Sequence, residues 1–236
     1  MSSPRILVIS DTQAPFHHKD ALEFLTYYKN VLKPTHVVHI GDAMDFNALS
    51  DYVPNPDGLS AGHELQEALK FMKDLYKVFP NVTVLTSNHD VRAFKRAKKA
   101  GIPLKILKSY EEFFESPKGW KFVDKLEIGN ICFVHGHQIA TGGGNIMQNA
   151  IKKYMKNVVF GHFHTRFGID YYANEDSLFF GMGVGCLIDH KSYAFEYQRA
   201  EVRKPLIGIG IIEQGRPQLI PMILDKTGRW VGRRKK

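Results

Sequence analysis

Residues 35–45 read THVVHIGDAMD, a β-rich apolar run entered through Pro34 and left through Gly41 into two aspartates, Asp42 and Asp45. Two other stretches have the same form. Residues 5–13, RILVISDTQ, place Asp11 and Gln13 just past a short strand, and residues 82–90, VTVLTSNHD, place Asn88 and His89 past another. Between them lie stretches of helical period. Residues 19–32 carry Leu22, Leu25 and Tyr28, and residues 63–79 carry Leu65, Ala68, Leu69, Met72, Leu75 and Tyr76 on one face. This β-α-β-α-β alternation predicts a parallel sheet flanked by helices, an α/β fold.

The back half reads differently. Residues 121–128 and 131–134 flank Gly129-Asn130, a hairpin signal. A helix over 145–155 leads into a strand over 157–160. Strand-like runs follow at 166–172, 178–181, 206–212 and 218–224, the last two parted by a Gly-Arg-Pro turn. No repeat or low-complexity linker interrupts the chain. Residues 1–225 therefore read as a single domain with a second, more antiparallel sheet, and residues 226–236 as a basic C-terminal tail.

Composition narrows the classes. The 236 residues are 44% hydrophobic and 24% charged, the balance of an ordinary globular protein. The formal net charge of +8 is unevenly placed. Residues 91–108 hold seven Lys/Arg and no acid, and residues 226–236 hold six more and no acid, so the rest of the chain is net acidic. A uniformly basic protein is excluded, and a mildly acidic body with two basic segments remains. Trp230, set among the basic residues of the tail, is a candidate for stacking on a base. The longest stretch free of charged or strongly polar residues, 178–188, is too short to span a bilayer, so no membrane partner is expected. The N-terminus runs straight into the first strand, so no secretory leader is expected, and Cys132 and Cys186 form no disulfide framework or metal-ligand spacing. A cytoplasmic location is expected.

The chemistry gathers just past the strands. Asp11 and Gln13 follow the first, Asp42 and Asp45 the second, and Asn88 and His89 the third. His135 and His137 follow residues 131–134, in HGH, and His162 and His164 follow residues 157–160, in GHFH. Ligands of open α/β sheets bind outside the carboxyl ends of the strands, so five segments deliver Asp, Asn and His to one rim. Hard oxygen and borderline nitrogen donors without thiolate suit Mn²⁺, Fe or Zn²⁺. There are too many of them for one tetrahedral ion, and two ions sharing a carboxylate account for the surplus.

The ordered set D-x-Q, G-D-x-x-D, N-H-D, H-G-H and G-H-x-H resembles the calcineurin-like metallophosphoesterase family, in its small bacterial and phage form, over Asp11 to His164. The resemblance implies a four-layer sandwich of two mixed β-sheets flanked by helices. It implies a hydrolase that attacks phosphoesters with a metal-bound hydroxide on a pair of divalent ions, Mn²⁺ first, with Fe, Zn²⁺ or Mg²⁺ as alternatives. By motif, Asp42 bridges the ions. Asp11, Gln13 and His164 complete one site, and Asn88, His135 and His162 complete the other. His89 lies by the leaving group and Asp45 orients it, while Arg92 and His137 are candidates for substrate contact.

Two positions depart from the family pattern. Gln13 stands where most members have His, as in the manganese-dependent ADP-ribose/CDP-alcohol diphosphatases, and an amide oxygen tilts that site toward Mn²⁺ or Mg²⁺. Ser87 replaces the usual Gly before Asn-His and would be strained if the backbone there required a positive φ. The Arg-Gly that follows the second Asp in Ser/Thr protein phosphatases is absent, since Phe46-Asn47 follow Asp45. The expected substrate is therefore a phosphate-containing small molecule of nucleotide type, a phosphodiester or phosphoanhydride. The rivals are a nuclease or nucleic-acid-end phosphatase gripping with the basic segments, and a scaffold that keeps the fold without catalysis.

Overall fold

The computed structural model describes residues 4–52, 55–142, 144–198 and 202–232. Strand β1 (Arg5–Ile9) leads through α1 (Ala21–Leu32) to β2 (His36–His39), and α2 (Ala61–Val78) leads to β3 (Val82–Leu85). α3 (Arg92–Lys99) and the short α4 (Tyr110–Phe113) precede β4 (Trp120–Val123). Then come β5 (Leu126–Ile128), β6 (Ile131–Val134), α5 (Ile146–Tyr154) and β7 (Asn157–Phe160). β8 (Phe167–Ala173), β9 (Leu178–Val184), β10 (Gly208–Glu213) and β11 (Arg216–Pro221) follow.

The strands form two mixed sheets, ordered β11-β10-β1-β2-β3-β4 and β5-β6-β7-β9-β8. In the first, β1 to β4 run parallel and β10 joins β1 antiparallel. In the second, β6, β7 and β9 run parallel, edged by antiparallel β5 and β8. Why β1 reads as an unbroken apolar run is now plain, since both its faces are covered. Ile6 and Val8 pack between the sheets with Val38, Ile40, Phe133, Val159 and Met182. Leu7 and Ile9 face the other way, onto Phe24 and Leu25 of α1 and Met72 and Leu75 of α2. α5 covers the outer face of the second sheet through Ile146 and Ala150 against Cys132, Val134 and Phe160. The layering is thus helix, sheet, sheet, helix, as expected.

Several details correct the sequence reading. The run 121–128 is two strands in two sheets: Val123 pairs with Leu85, and three residues later Leu126 pairs with Phe133. Apolar pattern alone cannot mark a crossing between sheets that share one core. The last two strands belong to the first sheet, and their turn is Gln214-Gly215, both at positive φ, the conformation a two-residue hairpin requires.

The reading of Trp230 as a free base-stacking aromatic is overturned. It is buried, edge-on to Phe24 at 5.3 Å. Its backbone N–H donates to buried Asp20 at 2.8 Å, and the Arg229 guanidinium donates to the same carboxylate at 2.8 and 2.9 Å. Burying such a side chain is worth roughly 1.5–3 kcal/mol, which a solvated tail would forgo. Residues 226–232 are therefore packed on the body, and residues 233–236 of the expected tail lie outside the described residues. No helix among the described residues is long and apolar enough to cross a membrane.

Candidate metal centre

The strand exits converge through unusual backbone. Asp11 (φ 46°), Gln13 (φ 43°), Asp42 (φ 50°), Phe46 (φ 55°) and His162 (φ 66°) all adopt left-handed conformations. For non-glycine residues each costs on the order of 1–3 kcal/mol, and such strain concentrates at functional sites. Gly41 (φ 100°) is obligatory for space as well, because a Cβ there would sit 2.6 Å from the Leu85 carbonyl oxygen and 2.7 Å from the Ser87 Cβ. Ser87 itself is not among the positive-φ residues, so the strain anticipated for it does not arise. Its hydroxyl instead donates to Asp90 at 2.7 Å and accepts the Asp90 N–H at 3.2 Å, pinning the turn that carries Asn88 and His89.

Two groups of potential ligands result, Asp11–Asp42–His164 and Asp42–His135–His162, each with its donor atoms within 4.8 Å of one another. They share Asp42. Gln13 joins the first group, its amide nitrogen 3.3 Å from both Asp42 Oδ2 and His164 Nε2. Asn88 joins the second, its Oδ1 2.9 Å from His135 Nε2. His135 is fixed from behind, with Nδ1 2.9 Å from the Ile40 carbonyl, which leaves Nε2 facing the cluster. The structure thus brings together all seven residues picked from the sequence as ligands.

The donor set fits divalent cations. Asp11 and Asp42 are buried within one ligand group, and Asp11 Oδ1 and Gln13 Oε1 are buried acceptors with no hydrogen-bond donor. Orphaned buried acceptors cost of order 1–3 kcal/mol each, a demand that a hard cation meets directly. Burial alone would push the Asp42 carboxyl up, but His135 and His89 beside it hold it well below the usual carboxylate range. His135 shows the reciprocal effect. Burial opposes its charge, yet Asp42 and Asp11 raise it to about 9. Burial and the neighbouring His135 lower His162 to about 4, leaving it neutral and able to ligate.

Beside this cluster His89 Nδ1 lies 2.9 Å from the Asp45 carbonyl oxygen and 3.3 Å from Asp45 Oδ1, with Nε2 3.8 Å from Asp42 Oδ2. Burial alone would lower His89, but Asp42 and Asp45 outweigh it and raise it. Arg92, expected to hold phosphate, lines the cavity beside His89 and also braces Asp45. It donates to the Asp45 carbonyl at 2.9 Å and Asp45 Oδ1 at 3.0 Å, and lies 3.1 Å from His89 Nε2. The basic run beyond it works the same way: Arg96 donates to the Leu49 and Ser50 carbonyls and Lys99 pairs with Asp51 at 2.8 Å. His137 is exposed at the rim, its ring 5.5 Å from that of His135. A cavity of about 460 Å³ opens here between His89, Asn88 and His162 on one side and Tyr193 and Asn55 on the other.

The family model of calcineurin-like phosphoesterases matches residues 4–193. The chain belongs to that family. This calcineurin-like phosphoesterase is 26% identical to the Gene 54 protein of Mycobacterium phage D29 over an alignment of 258 residues, covering 94% of each chain. Among solved structures it is similar to Chaetomium thermophilum Vps29, with a TM-score of 0.48, 14% identity and coverage of 97% of this chain and 94% of that one. It is also similar to Yfce, a phosphoesterase from E. coli, with a TM-score of 0.46, 13% identity and 97% of each chain covered.

One contributor escaped the sequence reading. Glu64 of α2 is buried, and its carboxylate accepts the N–H groups of Asn47 at 2.6 Å and Ala48 at 2.8 Å, fixing the turn just after Asp45. The signal was there, because Glu64 precedes Ala68 by four residues on the buried stripe of α2. Burial raises its carboxyl to about 7, against the opposing effect of those N–H bonds. A carboxyl raised on folding contributes stability below its unfolded pKa, and that contribution is lost as pH rises through about 7. Glu64→Gln, which cannot titrate, is therefore expected to show a smaller fall in Tm than the parent between pH 5 and pH 8. Equal falls measured by calorimetry would remove Glu64 from this account.

Proposed function

We propose that this calcineurin-like phosphoesterase hydrolyses nucleotide-type phosphodiesters or phosphoanhydrides with two divalent cations, Mn²⁺ preferred over Fe, Zn²⁺ or Mg²⁺. The observation that carries the reading is the pair of three-residue ligand groups sharing Asp42, with His89 set between Asp42 and Asp45. Asp11, Gln13, Asp42 and His164 would hold one ion, and Asp42, Asn88, His135 and His162 the other. When bound, such a pair supplies an activated water and neutralises phosphoryl oxygens during in-line displacement.

The chain's own residues do the rest. With Nδ1–H donated to the Asp45 carbonyl, His89 Nε2 stands beside the cavity, 3.1 Å from the Arg92 guanidinium; once that contact yields to substrate, a protonated ring can give its Nε2 proton to the departing oxygen. Asp45 keeps the ring in that orientation and favours its protonated form, while Arg92 holds Asp45 in place. The neutral amide of Gln13 supports Mn²⁺ as the preferred ion. A cavity of about 460 Å³ beside His89, walled by Tyr193 and Asn55, gives an organic leaving group of nucleoside size a place to sit.

The nuclease reading rested on two basic segments as the grip. Arg92, Arg96, Lys99 and Arg229 have internal partners, which takes four of those thirteen basic residues out of the grip. Against a non-catalytic scaffold stands the clustering of every ligand position with His89 and Asp45 beside it. The test is metal-stripped protein, reloaded with one metal at a time and assayed on bis(p-nitrophenyl) phosphate, p-nitrophenyl phosphate, nucleotides, cyclic nucleotides and dinucleotides. Turnover with Mn²⁺, higher on diesters or anhydrides than on monoesters, is expected. No turnover with any metal would return the protein to the scaffold reading.

A further inference from the structure

A second concentration of positive side chains, outside both basic segments, lies at the other end of the molecule. A cleft of about 1100 Å³ lies along the amino ends of β2, β3 and β4 and reaches the β5–β6 turn, with no lining residue in common with the cavity at the metal centre. Lys29, Lys33, Lys118 and Lys121 line it, and none has a carboxylate partner among the described residues. The one acid in the lining, Glu127, is already held by Lys125 at 2.9 Å and Lys156 at 2.5 Å. Asn30, Asn81 and Thr83 add neutral donors along the same walls.

Like charges lining one concavity repel, although Lys29 also lies over the Phe79 ring at 5.9 Å, and low-dielectric walls focus the field outward onto a counter-charge. The chemistry of the lining narrows what that is. Lysines interspersed with amide and hydroxyl donors are the groups that contact phosphate and sugar in nucleic-acid complexes. Protein–protein interfaces are depleted in Lys and centred on aromatic anchors, whereas Phe79, the one Phe, Tyr or Trp in this lining, is buried and the apolar residues left half-buried there are the aliphatic Val37, Val78, Leu126 and Ile128. Charges inside a cleft are reached by a chain and not by a flat bilayer.

We propose that this cleft binds the phosphate backbone of a nucleic acid. The site lies opposite the strand ends that carry the metal ligands, so it tethers the protein to a polyanion and does not feed that strand to the same chain's centre. It stands independently of the catalytic reading.

The test is fluorescence anisotropy of the full-length chain with labelled single-stranded and duplex oligonucleotides in EDTA, which silences hydrolysis. About four neutralised phosphates give an affinity that falls roughly 50–150-fold between 50 and 200 mM salt. The combination of Lys33→Glu, Lys118→Glu and Lys121→Glu should weaken binding at least about tenfold and flatten the salt dependence. The same charge change on exposed α2, Lys70→Glu, Lys73→Glu and Lys77→Glu, should cost far less. Circular dichroism checks folding, and the milder Lys118→Gln, Lys121→Gln pair, expected to lower the salt slope by about two, serves if the triple variant fails to fold. No binding at 50 mM salt, equal losses in the two triple variants, or binding to anionic vesicles in place of oligonucleotides would each overturn the proposal.

Discussion

Asp42→Asn is expected to lower kcat/KM for any phosphoester substrate by about three orders of magnitude or more, with the fold intact and the bound metal lost. Asp42 is the one residue common to both ligand groups, and it is buried with two histidines leaning on its charge. An amide keeps the shape but gives up the anion. Losing several kcal/mol of charge stabilisation in the transition state corresponds to that fall in rate. Metal analysis after dialysis and steady-state kinetics on the same preparation check both halves. Activity within tenfold of the parent would remove Asp42 from the bridging role.

The second large effect belongs to His89. His89→Ala is expected to slow hydrolysis by about 10²–10⁴-fold when the leaving group is a poor one such as a ribose hydroxyl. The loss should be small for p-nitrophenolate, which departs without a proton. Asp45→Asn should follow the same leaving-group pattern at smaller amplitude, because Asp45 acts on the ring and not on the substrate. Metal content should stay at the parental level in both variants, separating this role from that of Asp42. A uniform loss across leaving groups would assign His89 to binding the phosphoryl oxygens and not to protonating the departing one.

How far the sequence spoke for itself differs between fold and site. The first βαβαβ stretch was legible because β1 is covered on both faces and reads as an unbroken apolar run, while its neighbours are short β-rich runs, HVVH and VTVL, left through Gly41-Asp42 and Asn88-His89. The ligands were legible because a strand end is a fixed place in such a sheet, so Asp11, Asp42, Asn88, His135 and His162 had to meet at one rim. Partner sheets were not legible. β4 and β5 share one apolar pattern, and β10 gives no sign that it returns to β1 across some two hundred residues.

Charge misled for a related reason. Residues 92–99 and 226–232 look like free basic surface, yet Asp45, Asp51 and Asp20, each far away in sequence, claim Arg92, Lys99 and Arg229. The lysines of the cleft at the amino ends of the strands, at 29, 33, 118 and 121, are scattered along the chain and gather only in space. Glu64 shows the converse. A lone acid on an apolar stripe is readable as an anomaly, but its partners, two backbone N–H groups beyond Asp45, are not.

The measurement that bears most directly on the two-ion centre is anomalous diffraction from crystals soaked in Mn²⁺ at the manganese edge. The account predicts two peaks about 3.5–4 Å apart with the Asp42 carboxylate between them, one against Asp11 and His164 and the other against His135 and His162. A single peak, or peaks whose ligands do not include Asp42, would contradict it.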